Sequence, residues 1–519
     1  MNIPINILFI TVDQWRGDCL SAVGHPCLKT PNLDRLAADG VLFKQNYAQA
    51  SPCGPSRASL YTGMYLQNHR SVNNGTPLDK RHTNVALEAR KAGYDPVLFG
   101  YTDVSADPRA YAPGDPRLRS YEGVLPGMTP VMHTNDRALQ WLADLKIKGY
   151  LISEGLNRVF KPKDIDPTPE RRGMTFAPAE YKKEDSYTAF LTNELMKYLS
   201  VQQGQPWFVH LSYLSPHPPF VAPEPYHAMY DPANVPKPIR AKTIEDEANQ
   251  HPYLDYYLHN QLGDGISYGH DSKKNLELDD LDILQARATY YGMMSEVDAQ
   301  IGHLFEYLKE IGVYDNTLIV FTSDHGEQLG DHWQFAKYSY FDQSFHIPLI
   351  VRQPKSKMSC ARDHQVNDFT ESIDIMPTIL EYIGIETPNQ CDGESLMPFC
   401  RGNIPENWRK EAHWEMDFRN FRDDNGDAIL DLKPDECTYT VIRSNRYKYI
   451  HFTALPPLFF DLEKDPNELH NLIDHPKYQY LILDYTQKML SWRLNHADRV
   501  LANLKLTTDG LVEETPPRR

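Results

Sequence analysis

The sequence predicts a large doubly wound α/β domain with a mostly parallel sheet, followed by a smaller α+β subdomain. Three observations lead there. Short apolar runs alternate with amphipathic helical stretches over roughly residues 1–385. The runs are nearly unbroken and rich in β-branched residues, as strands covered on both faces require. After about Thr387 the pattern changes to hairpin-like strands and a final helix.

The elements follow in order. Residues 7–12, between Ile7 and Val12, read as the first buried strand. Residues 30–40 read as a short helix, with Thr30 as its cap, Pro31 at the first helical position and Gly40 as its stop. Residues 96–100 and 207–211 read as further strands. A long helix is expected over 286–312, where Tyr291, Met294, Val297, Ile301, Leu304 and Leu308 recur at three- and four-residue steps. Strands are expected at 317–322 and 346–351. A hairpin spans 438–450 around a Ser444-Asn445 turn, and a last helix is expected over 477–501. Stretches 149–187 and 223–273 are rich in Pro, Tyr and charge with weak periodicity. They read as insertions that cover a site or an oligomer contact. The expected organisation is a catalytic domain at 1–385, a C-terminal subdomain at 386–502, and a tail at 503–519 that is an oligomerisation arm or has no structure of its own.

Composition narrows the function. The chain has 519 residues, 41% hydrophobic and 24% charged, a globular balance with ample core. A net charge of −17 argues against wrapping nucleic acid or lying on an anionic membrane. A local pocket can still oppose that field, so a small anionic substrate remains open. No run approaches the roughly 20 apolar residues of a membrane span. The seven cysteines include no CxxC pair, which speaks against a disulfide framework or structural zinc. The N-terminus has no basic region and no small-residue cleavage site, so a cytoplasmic location is expected.

Two strand ends carry candidate chemistry. Asp13 and Gln14 follow the first strand, and Asp324 and His325 follow the strand at 317–322. Ligands of open α/β sheets bind beyond the carboxyl ends of strands. Two carboxylates, an amide oxygen and an imidazole meeting there suit one divalent ion. Taken singly, either aspartate is explained as well by a helix cap or a turn. The run Cys53-Gly54-Pro55-Ser56-Arg57-Ala58-Ser59-Leu60-Tyr61-Thr62-Gly63 places a cysteine at a helix N-terminus, which favours anions and activated nucleophiles.

That run resembles the signature of the type I sulfatases of the alkaline phosphatase superfamily, and segments 30–43, 315–332, 373–398 and 447–471 match further landmarks of the family. The resemblance implies an alkaline-phosphatase-like fold. It implies that a maturation enzyme oxidises Cys53 to Cα-formylglycine, so that Cys53 is the precursor of the nucleophile and, with the strand-end residues, a metal ligand. One hydroxyl of the hydrated aldehyde attacks sulfur or phosphorus and expels the alcohol. Deprotonation of the other re-forms the carbonyl and releases the product. By the same resemblance Arg57 holds the aldehyde-derived oxygens, and Pro55 and Ser56 serve the maturation enzyme and the local turn. Lys337 contacts the transferring group, and His217 binds substrate or assists the leaving oxygen. His332 and His346 are expected to be structural.

Within the family, Asp13-Gln14-Trp15-Arg16-Gly17-Asp18, the stretch 68–78 and the stretch 91–103 resemble bacterial phosphonate monoester hydrolases, which are also phosphodiesterases and promiscuous arylsulfatases. This implies that Asn74, beside Asn73, and Tyr101 and Thr102 line the substrate pocket. Gln14 stands where a second Asp is common, and His325 where Asn or Gln is common. A nitrogen donor favours manganese, with calcium as runner-up. Phosphonate monoesters, phosphodiesters and sulfate monoesters carry one negative charge, which one ion with Lys337, Arg57 and His217 can balance. A phosphate monoester dianion is usually met by two metals, so it should react weakly. The branch also implies a homo-oligomer, a dimer or tetramer. The rival within enzymes is a dedicated aryl- or alkylsulfatase. The rival from another class is a non-catalytic binding protein of the same fold.

Overall fold

The computed structural model describes residues 5–134, 138–152, 159–163, 172–202, 204–260, 265–355, 361–419, 426–498 and 500–513. The main sheet is built from β1 (Asn6–Val12), β2 (Val41–Tyr47), β3 (Pro96–Gly100), β4 (Thr129–His133), β5 (Phe208–Tyr213), β6 (Thr317–Ser323), β7 (His346–Arg352) and β8 (His364–Glu371). Its order is β4-β3-β5-β1-β6-β7-β2-β8. β7 runs antiparallel to both neighbours, β6 and β2, and the other pairings are parallel.

β1 shows why the apolar run is unbroken. Leu8, Ile10 and Val12 enter one core, and Ile7 and Phe9 enter the core on the opposite face. The first core is covered by the helix Asp280–Glu310, through Ile283, Tyr290, Met294, Val297 and Ile301. The second is covered by the helices Cys53–Thr62 and Ile375–Ile383, through Leu60, Tyr61, Met376 and Ile379. Both faces are thus closed, as a parallel sheet needs.

Several boundaries differ from the sequence reading. The long helix starts at Asp280, because the Asp279 side chain accepts from the Asp282 backbone amide and caps it ahead of the apolar stripe. Thr30 stands at the cap position of the helix Pro31–Ala38 but makes no capping bond; its hydroxyl pairs with that of Ser21. The cap comes instead from Asp298 on the long helix, whose carboxylate accepts from the amides of Asn32 (3.1 Å) and Leu33 (2.8 Å). Gly40 does not stop that helix. It admits the β7 backbone, since a Cβ there would lie 2.7 Å from the Val351 carbonyl. The strand expected at 207–211 begins at Phe208 and continues to Tyr213. The last helix is shorter than expected, Gln479–Asn495, with a separate turn at Pro476–Tyr478.

The C-terminal sheet is antiparallel, with β9 (Glu411–Asp417), β10 (Thr438–Ser444), β11 (Tyr447–Phe452) and β12 (Leu458–Asp461) in the order β12-β11-β10-β9. The stretch 223–273 supplies the helix Pro252–Asn260, whose Tyr253 and Tyr257 pack with Trp414, Tyr439 and Phe452 of this sheet. It therefore ties the two sheets together. Trp414 also stacks on Tyr47 of the main sheet, with ring centroids 5.4 Å apart. Residues 504–507 and 510–513 of the tail form a small hairpin. Among the described residues, no helix is long and apolar enough to cross a membrane.

The borrowed cap gives a test. Asp298→Ala leaves two helix-end amides without their acceptor, and should cost about 2 kcal/mol. The expected readout is a lower denaturant midpoint with the secondary structure unchanged.

Candidate active site

The site forms where β1, β3, β5 and β6 end together. Asp13 follows β1, Tyr101 and Asp103 follow β3, His217 follows β5, and Asp324 and His325 follow β6. β1 lies between β5 and β6, so Asp13 and Asp324 leave adjacent strands. The helix Cys53–Thr62 begins against them. One ligand atom each from Asp13, Cys53, Asp324 and His325 lies within 4.8 Å of the others, and all four residues are buried. His325 Nε2 stands 3.1 Å from Cys53 Sγ and 3.7 Å from Asp13 Oδ1. Asp13 Oδ1 is buried and has no hydrogen-bond partner. A carboxylate oxygen in that position is satisfied by a cation, so the donor set fits one divalent ion.

Arg57 organises the carboxylates. It is fully buried; Nε donates to Asp324 Oδ2 at 2.9 Å and Nη2 to Asp13 Oδ2 at 3.3 Å. Nη1 donates to Ser212 Oγ at 2.9 Å and to the Tyr101 carbonyl at 3.3 Å. The resemblance had Arg57 holding the oxygens at position 53. The fold instead spends these donors on the two carboxylates behind Cys53. Tyr101 stacks under the guanidinium at 4.4 Å, and its hydroxyl donates to Asp13 Oδ2 at 2.5 Å. Asp13 Oδ2 is thereby occupied by protein, and Oδ1 is left facing His325. Burial by itself would raise the Asp13 carboxyl, but His217, His325, Arg57 and Lys337 outweigh it and hold the group well below the usual range.

Burial, with Asp13 and Asp324 adding to it, pushes the Cys53 thiol well above its ordinary value. Unmodified, it keeps its proton at neutral pH and is a poor nucleophile. The turn that presents it is tight. The Gly54 amide donates to Asn74 Oδ1 at 2.8 Å, and a Cβ on Gly54 would approach that oxygen to 3.0 Å. Ser56 is buried and its hydroxyl donates to the Asp324 carbonyl, tying the helix to the end of β6.

Lys337 Nζ donates to Gln14 Oε1 at 2.8 Å and lies 3.0 Å from His217 Nε2. His217 Nδ1 faces the Pro218 carbonyl at 2.7 Å. That carbonyl can only accept, so Nδ1 carries a proton. Gln14 has a left-handed φ of 67°, its amide donates to Asp324 Oδ1, and its carbonyl accepts from Tyr290. His332 pairs with Glu247 and stacks on Phe341, and His346 bonds the Lys44 carbonyl, so both serve packing.

A cavity of about 220 Å³ opens over this cluster. Asp13, Cys53, Asn74, Tyr101, Asp103, His217 and Lys337 line it, with Trp141, Phe160, Tyr187 and Tyr338 as an aromatic wall. A second cavity of about 440 Å³, lined by residues including Met64, Pro377 and Gln390, shares no lining residue with it. Thr102 is corrected by the structure. Its hydroxyl donates to the Gly123 carbonyl and accepts from the Leu125 amide, so it faces the chain behind the cavity and does not line it. Asn73 reaches toward the Arg419 carbonyl, and Asn74 lines the cavity.

Sequence reasoning missed Asp103, Glu327 and the aromatic wall. Asp103 follows a strand end just as Asp13 does, and that signal was available. It lines the cavity, has a φ of 50°, and its Oδ1 is buried without a partner. Burial pushes it up to about 7, with Asp13 and Asp324 adding and Arg57 opposing. A carboxyl raised on folding stabilises the fold only while it keeps its proton. In metal-free protein, the Asp103 contribution to stability should therefore fall as pH rises from about 4 towards 7. Asp103→Asn should remove that slope, with a gain over the parent of at most about 4 kcal/mol near neutral pH. Denaturant midpoints measured across this range read it directly.

Residues 5–385 match the sulfatase family, and residues 330–495 match the C-terminal region of N-sulphoglucosamine sulphohydrolase. The chain is 44% identical over 511 residues to the multifunctional alkaline phosphatase superfamily protein PehA of Trinickia caryophylli, covering 98% of each. It is 30% identical to an arylsulfatase of Clostridium perfringens, covering 93% of each. The crystal structure of a phosphonate monoester hydrolase of Agrobacterium radiobacter superposes with a TM-score of 0.93 at 44% identity, over 99% of this chain and 100% of that one. The phosphonate monoester hydrolase of Silicibacter pomeroyi gives 0.91 at 39% identity, with the same coverage. By its sequence over both domains and by its fold, the chain belongs to the sulfatase family of the alkaline phosphatase superfamily.

Proposed function

We propose that the protein is a metal-dependent hydrolase of monoanionic phosphonate monoesters, phosphodiesters and sulfate monoesters, with a formylglycine made from Cys53 as its nucleophile. The observation that carries this is the convergence of Cys53 with Asp13, Asp324 and His325 at one point beneath the cavity. The likeness to PehA and to two phosphonate monoester hydrolases supports the phosphonate branch. Asp13, Asp324 and His325, with Gln14 beside them, would hold one ion. The imidazole donor favours manganese over calcium. When present, the ion and the hydrated formylglycine supply Lewis acidity and a nucleophilic hydroxyl.

The chain's own residues do the rest. Arg57 and Tyr101 fix the two carboxylates in one orientation. Lys337 supplies a positive charge for the transferring group. In its imidazolium form His217, whose Nε2 lies 3.0 Å from Lys337 Nζ, would give its Nε2 proton to the leaving oxygen while Lys337 keeps its charge. Asn74 lines the substrate side, and Trp141, Phe160, Tyr187 and Tyr338 receive the alcohol portion of the ester. A single ion site with these cations suits a monoanion better than a phosphate monoester dianion.

Maturation of Cys53 requires a formylglycine-generating partner, and peptide mass spectrometry of the purified protein reads its extent. A homo-oligomer is proposed as well. The helix Gln479–Asn495 exposes Tyr480, Leu483, Leu490 and Leu494 along one stripe, close in sequence to the exposed Leu506 and Leu511 of the tail hairpin. A two-stranded hairpin is barely stable alone, so a second copy of the chain is the natural cover. Tyr480→Glu with Leu490→Glu should convert a dimer or tetramer to monomer in sedimentation experiments.

The deciding experiment assays metal-loaded, matured enzyme on an aryl phosphonate monoester, an aryl phosphodiester and an aryl sulfate with one common leaving group. Phosphonate and diester turnover should dominate. Cys53→Ala should lose on the order of 10⁴-fold in kcat. Chelation should abolish turnover, and manganese should restore it better than calcium. Sulfate dominance by orders of magnitude would identify a dedicated sulfatase, and no turnover of any ester would leave a binding protein.

A further inference from the structure

We infer that Glu327 is a positioning residue that sets the polarity of the hydrogen-bond chain ending on Lys337, and so aims the lysine ammonium into the cavity. The inference rests on the reading of Lys337 as the group that meets the transferring anion. Glu327 is fully buried and lies two residues beyond His325. It does not line the cavity, so it acts through its neighbours.

Every partner given to this carboxylate donates to it. Oε1 accepts from the backbone amides of Leu329 (2.8 Å) and Ala336 (2.6 Å), and Oε2 accepts from Gln14 Nε2. The two amides bracket the loop that runs into Lys337, so one oxygen closes that loop. The other settles a question that a side-chain amide cannot settle for itself. The Gln14 amide can present either end to either neighbour. A carboxylate on one side can only accept, so Nε2 must face Glu327 and Oε1 must face Lys337. The lysine then donates to Oε1 at 2.8 Å and stands 3.0 Å from His217 Nε2. Those two contacts help fix where its ammonium sits. A neutral amide at 327 would place a donor against Gln14 Nε2. Gln14 would turn over, and its NH₂ would meet the ammonium, two donors face to face.

The test uses the matured, metal-loaded enzyme with an ester that the parent demonstrably hydrolyses, so an inactive parent would count against the functional reading and not against this one. Glu327→Gln is nearly isosteric and can keep the loop's two amide bonds. It should lower kcat by about 10- to 100-fold, with KM changed by less than about threefold, and with melting temperature and metal content kept. In a Lys337→Ala background the same substitution should cost less than about threefold, because the group it aims is gone. A merely structural role would cost the same in either background. The reciprocal pair Gln14→Glu with Glu327→Gln restores a donor at 327 facing an acceptor at 14 and leaves an oxygen for Lys337. It should recover at least about a third of the lost rate. A folded Glu327→Gln within about twofold of the parent overturns the inference, and so does full additivity with Lys337→Ala. If Glu327→Gln alone does not fold, the reciprocal pair decides: recovery of activity supports the inference, and a folded but slow pair overturns it.

Discussion

The site depends on a buried pair of carboxylates that one guanidinium holds together. Asp13 and Asp324 end adjacent parallel strands, so the sheet itself forces two like charges close together where both are buried. Unpaired, such charges would cost several kcal/mol each. Arg57 spans them, with Tyr101 and Ser212 completing its hydrogen bonds, and it occupies the inner oxygens. Asp13 Oδ1, left without a protein partner, is directed toward His325 and Cys53. Protein thus neutralises part of this charge, and the remainder faces Cys53 and His325 in a cluster that could hold a metal ion.

The nucleophile helix is held to this frame from several sides. Ser56 ties it to the carbonyl of Asp324, and Ser51, just before it, bonds the Lys337 carbonyl. Beyond its far end, the Tyr65 hydroxyl donates to Glu371 and its ring packs on Trp492 of the last helix. Arg409 meets Asp374 and Glu371 in the same buried group, and His413 of β9 stacks on Trp492 at 4.5 Å. The C-terminal sheet therefore clamps the segment that follows Cys53–Thr62, and the helix Pro252–Asn260 packs on the sheet in turn. This makes physical sense of matches to known families that run through both domains.

The cavity is chemically two-sided. Its floor carries Asp13, Cys53, Lys337 and His217, the charged and titratable groups. Its wall carries aromatic rings, which offer an apolar surface. Phe160 belongs to the stretch 149–187, so that insertion does reach the site.

The sequence by itself determined the strands that are buried on both faces, since an unbroken apolar run has no other soluble home. It also pointed to Asp13, Gln14, Asp324 and His325 at strand ends and to the run from Cys53 to Gly63, because those are local signals of residue type and spacing. Tertiary structure decided what each polar group spends its hydrogen bonds on. Thr30 keeps a cap position while Asp298, far along the chain, supplies the cap. Arg57 turns to the carboxylates, Thr102 turns away from the cavity, and Asp103 turns into it. Glu327 reads in sequence as one more acidic residue after a strand, and only its contact with Gln14 gives it meaning. Apolar burial is periodic along the chain and can be read there. A hydrogen bond between residues hundreds of positions apart depends on which strands the fold makes adjacent, and that information is not local.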